Sequence, residues 1–121
     1  MDFLVIDGSN VRSGKNREFQ DWVRANSAAL AKAAPEGTKL VGIYASMFST
    51  EKHSGFCKVV WRMDSYGAMD RFAAAARENA ELGRLLDEMA KFMDVRPGAD
   101  YSRELLKSVA DVSIWGDYPE E

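Results

Sequence analysis

Four polar side chains stand among apolar neighbours on one face of a predicted hairpin, and that mixture is the arrangement best suited to chemistry in this sequence. In the run from Lys39 to Phe48 the even positions are Leu40, Gly42, Tyr44, Ser46 and Phe48. In the run from Phe56 to Met63 they are Phe56, Lys58, Val60 and Arg62. Side chains alternate along a strand, so pairing Phe48 with Phe56 places all of these on one face. In a water-poor setting the hydroxyls of Tyr44 and Ser46 can orient a bound molecule, and Lys58 or Arg62 can stabilise an anion. Asn10, just after the first strand candidate, adds an amide. The ligand that suits this set is a small hydrophobic or aromatic molecule.

Other reactive groups are isolated. His53 is the single histidine and lies in the polar stretch from Ser49 to Gly55, where a solvated role is expected. Cys57, the single cysteine, falls on the charge-free face and reads as a small buried hydrophobe. It can form no internal disulfide, and no Cys/His cluster offers a zinc site. No metal and no cofactor are therefore expected.

Composition narrows the classes further. The 121 residues fit one domain, with 46% hydrophobic and 29% charged residues, an ordinary globular balance. The formal charge of -3 provides no basic field for phosphate backbones, so nucleic acid is not an expected partner. No apolar run approaches the roughly 20 residues of a membrane span. The opening MDFLVIDGSN does not read as a signal peptide, and a cytoplasmic location is expected.

The elements that must position the candidate residues follow from periodicity. Phe3-Leu4-Val5-Ile6 reads as a first strand that reaches Val11 through a bulge at Gly8. After Ser13-Gly14-Lys15-Asn16 a helix of about 18–20 residues is predicted, with Phe19, Trp22, Val23, Asn26, Leu30 and Ala33 on one face. Pro35-Glu36-Gly37 ends it. On the hairpin, the odd face carries Val41, Ile43, Ala45, Met47, Cys57, Val59, Trp61 and Met63 and no charge, so it is the face that helices should cover. Asp64-Ser65 offers an N-cap for a second helical region to about Met93. Its apolar rhythm slips near Asn79, as for two helices meeting at a kink. Tyr101–Val109 suits either helix or strand, and Val112, Ile114 and Trp115 suggest a final strand.

The order βαββαβ implies an α+β, ferredoxin-like domain: an antiparallel four-stranded sheet with helices on one face. The other face would then expose Leu40, Tyr44, Phe48, Phe56 and Val60, a patch of the kind that marks an interface or a ligand cleft. Packing two such faces together hides it, so a homodimer is expected.

Two longer stretches carry a resemblance. NVRSGKNREFQDWV (10–23) and, after the hairpin, VVWRMDSYGAMDRF (59–72) resemble the dimeric α+β barrel superfamily, which includes antibiotic-biosynthesis-type monooxygenases, NIPSNAP-like and EthD-like proteins. Gly14, Lys15, Phe19 and Trp22 match the entry into the first helix, and Trp61, Asp64-Ser65 and Tyr66 the exit from the third strand. The resemblance implies a dimeric barrel. It also implies either cofactor-independent oxidation of a phenol-like molecule or a non-catalytic binding role. For a phenol, Lys58 or Arg62 would stabilise the phenolate and Tyr44 would orient it. Haem-degrading members use an Asn near the first strand with a Trp and a His on the second long helix. Asn10 stands at the first position, but residues 65–93 contain neither Trp nor His, so haem ligation is not implied.

A competing class comes from VIDGSNV (5–11), which is similar to the first-strand signature of NYN/PIN-type ribonucleases. There the Asp binds a catalytic magnesium, which needs converging carboxylates. Asp7 would need Asp64, Asp70 or Asp111 beside it.

Overall fold

The apolar runs bounded by turn residues do become strands, and the amphipathic runs helices. A computed structural model describes residues 2–50 and 56–111. Its elements are β1 (Phe3–Ser9), α1 (Asn16–Ala33), β2 (Thr38–Ala45), β3 (Cys57–Met63), α2 (Gly67–Glu78), α3 (Ala80–Ala90) and β4 (Tyr101–Lys107). The strands form one antiparallel sheet in the order β2-β3-β1-β4. This is an α+β, ferredoxin-like arrangement. The ambiguous segment after Pro97 is therefore strand, and the strand expected at 112–115 lies outside the described residues.

Burial follows the odd face. Phe3, Val5, Cys57, Val59, Trp61 and Met63 are buried beneath Phe19 and Leu30 of α1, Ala68 of α2, and Leu82 and Leu85 of α3. Each fully buried aliphatic or aromatic side chain of this kind contributes about 1.5–3 kcal/mol. Three aromatic rings fix α1 against the end of α3. Phe19 lies 5.4 Å from Phe92 and 6.3 Å from Trp22 between ring centroids. The Trp22 indole then donates 2.9 Å to the Glu88 carboxylate.

Helix limits have local causes. Ala34 is extended at φ -60°, ψ 139°, as the residue before a proline prefers, and α1 stops. Asn79 breaks the second helical region at φ -91°, ψ 107°, and its side-chain oxygen accepts from the Glu81 and Leu82 amides that open α3. The expected kink is a capped break between two helices. The expected cap at Asp64-Ser65 is not formed. No side chain caps α2, and Asp64 instead takes Arg71 at 2.9 Å and the Ser65 hydroxyl at 3.1 Å.

Three further expectations are corrected. β1 pairs in unbroken register through Gly8 with both neighbours, so no bulge lies there, and Val11 makes only an isolated bridge to Met93. The irregularity is in β2, between Leu40 and Gly42. Val41 is the extra residue and is exposed, while Leu40 shifts onto the core face opposite Trp61. A bulge changes the face of everything beyond it, so the simple alternation from Lys39 onward holds only from Gly42. Met47 lies beyond the end of β2 and is exposed, not part of the core face. Finally, the hairpin pairs Ala45 with Cys57, and the Ser46 amide donates to the Phe56 carbonyl at 2.8 Å. Phe48 is thus displaced by two residues from the expected partner, and it is 84% exposed.

Candidate functional site

The cross-strand pair Ala45–Cys57 sets two small side chains side by side on the core face, where other pairs carry Trp61 or Met63. The space they leave is not filled by α1. A cleft of about 610 Å³ runs between α1 and the β2 end of the sheet. That volume is within the range of small-molecule sites. Val11, Ile43, Ala45 and Cys57 line it together with Phe19 and Val23 of α1. Asn16, Arg17, Gln20 and Arg24 of α1 supply its polar edge, and Tyr44 lies on the β2 side.

Its floor is chemically quiet. Burial pushes the Cys57 thiol up to about 11, so at neutral pH it keeps its proton and offers no thiolate. The polar edge consists of amides and guanidiniums. Such groups hold and orient an anion, but they do not take a proton near neutral pH.

The expected site residues are only partly gathered here. Tyr44 lines the cleft and pairs across the sheet with Lys58. Its ring folds along its own strand, so that a Cβ on Gly42 would lie 2.7 Å from the phenol carbon and oxygen. Asn10 precedes the cleft residue Val11 and accepts the Asp94 amide through its backbone carbonyl at 2.8 Å. Ser46 follows β2. Lys58 is on the open face, 4.0 Å from Glu104 within the same chain. Arg62 is on that face too, four residues along β3 and about 13 Å from Lys58 at the strand rise. It borders a separate hollow with Leu4 and Leu106. Tyr44 and Lys58 are thus neighbours, and Arg62 is remote from both. His53 lies outside the described residues.

The polar edge on α1 was not among the expected site residues. Asn16 and Gln20 border the apolar stripe of α1, and Arg17 and Arg24, at i and i+7, lie beyond them on its exposed side. A polar stripe bordering an apolar one is the signal that could have found them.

The magnesium alternative meets a different use of Asp7. Its carboxylate accepts from Arg103 Nε at 2.6 Å and from the Tyr101 hydroxyl at 3.2 Å, tying β1 to β4. The same carboxylate holds the Arg103 guanidinium more firmly protonated. Burial, and then Asp7, push the Tyr101 phenol up. Among the described residues, no group of three or more His, Cys, Asp or Glu is placed to hold a metal ion. The sheet, moreover, is wholly antiparallel. Nor is any described helix long and apolar enough to cross a membrane.

Solved structures with this fold can be named. The chain is similar to a NIPSNAP family protein from Agrobacterium tumefaciens, with a TM-score of 0.63 at 12% identity, over 87% of this chain and 83% of that one. A NIPSNAP domain protein from Burkholderia xenovorans aligns with a TM-score of 0.65 at 10% identity, over 92% and 98% of the two chains. A candidate antibiotic biosynthesis monooxygenase from Caulobacter crescentus aligns with a TM-score of 0.56 at 21% identity, over 89% and 90%. These are the groups that the sequence resembles, and the shared property is the ferredoxin-like α+β fold. No protein-family model matches the chain, and no curated protein is significantly similar to it.

Proposed function

We propose that the protein is a homodimer that binds a small hydrophobic, aromatic molecule in the cleft between α1 and β2. The cleft itself carries this reading: about 610 Å³ of space with an apolar floor, a polar edge along α1 and Tyr44 on the β2 side. Apolar pockets with a few placed polar groups are the usual form of a small-molecule site. The test uses the neutral fluorescent probe N-phenyl-1-naphthylamine. Saturable binding at one probe per chain is expected. Ala45→Trp fills the cleft from an exposed strand position and abolishes binding while circular dichroism and melting temperature stay at wild-type values. Unchanged binding in a folded Ala45→Trp variant would remove the site.

Oxidation of the bound molecule is the second reading, drawn from the monooxygenase candidates among the fold relatives. Binding is favoured over it, because the edge groups of the cleft stabilise charge without accepting protons and the Cys57 thiol stays neutral.

The dimer reading draws on the face of the sheet that no described helix covers. Leu4, Ile6 and Val60 form a half-buried stripe there, continued by Leu106 at 42% exposure and Tyr44 at 53%. Among the described residues helices cover only the opposite face, and a second copy would supply the other layer. Light scattering should give a mass near twice 13.5 kDa. Ile6→Asp, which sets a charge in the centre of the stripe, should give the single-chain mass. A wild-type monomer at tens of micromolar would refute the dimer.

A further inference from the structure

We infer that the occupant of the cleft is an elongated aromatic dianion, its acidic groups gripped by Arg17 and Arg24. This rests on the cleft being a ligand site and goes on to name the ligand's charge and shape. Both residues line the cleft, and neither makes an ion pair among the described residues. Asp21 stands four residues after Arg17 and three before Arg24, at the spacings where helix surfaces pair charges, yet it joins neither. Glu18, the other acid on this turn, is taken by Lys15 at 3.4 Å. Two arginines therefore border one apolar hollow with no described acid bound to them, in a chain whose overall charge is -3.

Their spacing adds shape. Seven residues are two turns, about 10 Å along the axis, and Gln20 stands between them on the same edge. An aromatic body lying along α1 would rest on Phe19 and Val23, with one acidic group at each end. Guanidinium forks favour carboxylates and similar planar acids. The anion enters already ionised, so no base is required of the site.

Displacement of N-phenyl-1-naphthylamine tests this. Naphthalene-2,6-dicarboxylate should displace the probe at least tenfold more tightly than the neutral 2,6-bis(hydroxymethyl)naphthalene, and the preference should shrink as salt rises. Arg17→Ala and Arg24→Ala should each weaken the dicarboxylate about five- to tenfold and leave the diol unchanged. Arg→Lys at either site should restore part of the loss. Equal affinity for diol and dicarboxylate, or arginine variants that bind the dicarboxylate as wild type does, would overturn the inference while leaving the cleft standing. Failure of the probe itself to bind would remove both.

Discussion

Trp61→Ala should lower the unfolding free energy by about 3–5 kcal/mol, the range for truncating a large buried aromatic. Trp61 is 3% exposed at the centre of β3, opposite Val5 and Leu40. Its ring meets Phe72 of α2 edge-on, with centroids 4.8 Å apart. One side chain thus joins three strands to a helix, and no single neighbour can collapse into the space it leaves. Against the usual 5–15 kcal/mol of a small domain, this is a large share of the total. Urea denaturation checks it: the midpoint should fall steeply with the slope nearly constant. Trp61→Phe, which retains an aromatic ring, should lose clearly less. A loss below about 1 kcal/mol for the alanine variant would contradict the packing described for this position.

The second large effect is expected at Gly8, for a reason of space. A Cβ there would lie 2.5 Å from the Ser102 hydroxyl oxygen and 2.9 Å from Cδ2 of the Phe56 ring. The serine can rotate away. Phe56 is 1% exposed, and its ring cannot move without opening the hairpin end. Gly8→Val should therefore cost about 1–3 kcal/mol, as overpacking does, with Gly8→Ala milder. The damage should concentrate in β4, which is an edge strand held by β1 alone. Amide exchange should accelerate in Tyr101–Lys107 more than in β2. A valine variant with wild-type stability and exchange would show that Phe56 does not seat on Gly8.

Much of this fold can be read locally. Phe3 and Val5 of β1 and the odd positions of β3 are apolar and buried, and α1 packs its stripe of Phe19, Trp22, Val23 and Leu30 onto them. Burial periodicity depends only on neighbours along the chain, so these elements need no tertiary information. The slip near Asn79 was visible for the same reason, because the break is made by a residue that caps its own helix. β4 was not visible in this way. Tyr101–Lys107 is largely exposed, has little alternation, and becomes a strand because β1 pairs with it.

The site shows the same division. The sequence determined that one face of the hairpin is charge-free and the other mixed, and that Tyr44 and Lys58 share the mixed one. It did not determine where the hollow lies. That depended on two small residues, Ala45 and Cys57, meeting across a register displaced by two from the simplest pairing, and on α1 crossing above them. The bulge at Val41 and the seating of Phe56 on Gly8 have the same origin. Alternation is a property of one strand, whereas register, bulges and cavities arise where side chains from distant elements compete for the same volume. Of the expected site residues Tyr44 lines the cleft, whereas Asn10, Ser46, Lys58 and Arg62 do not, and the packing of α1 on the sheet decided that division.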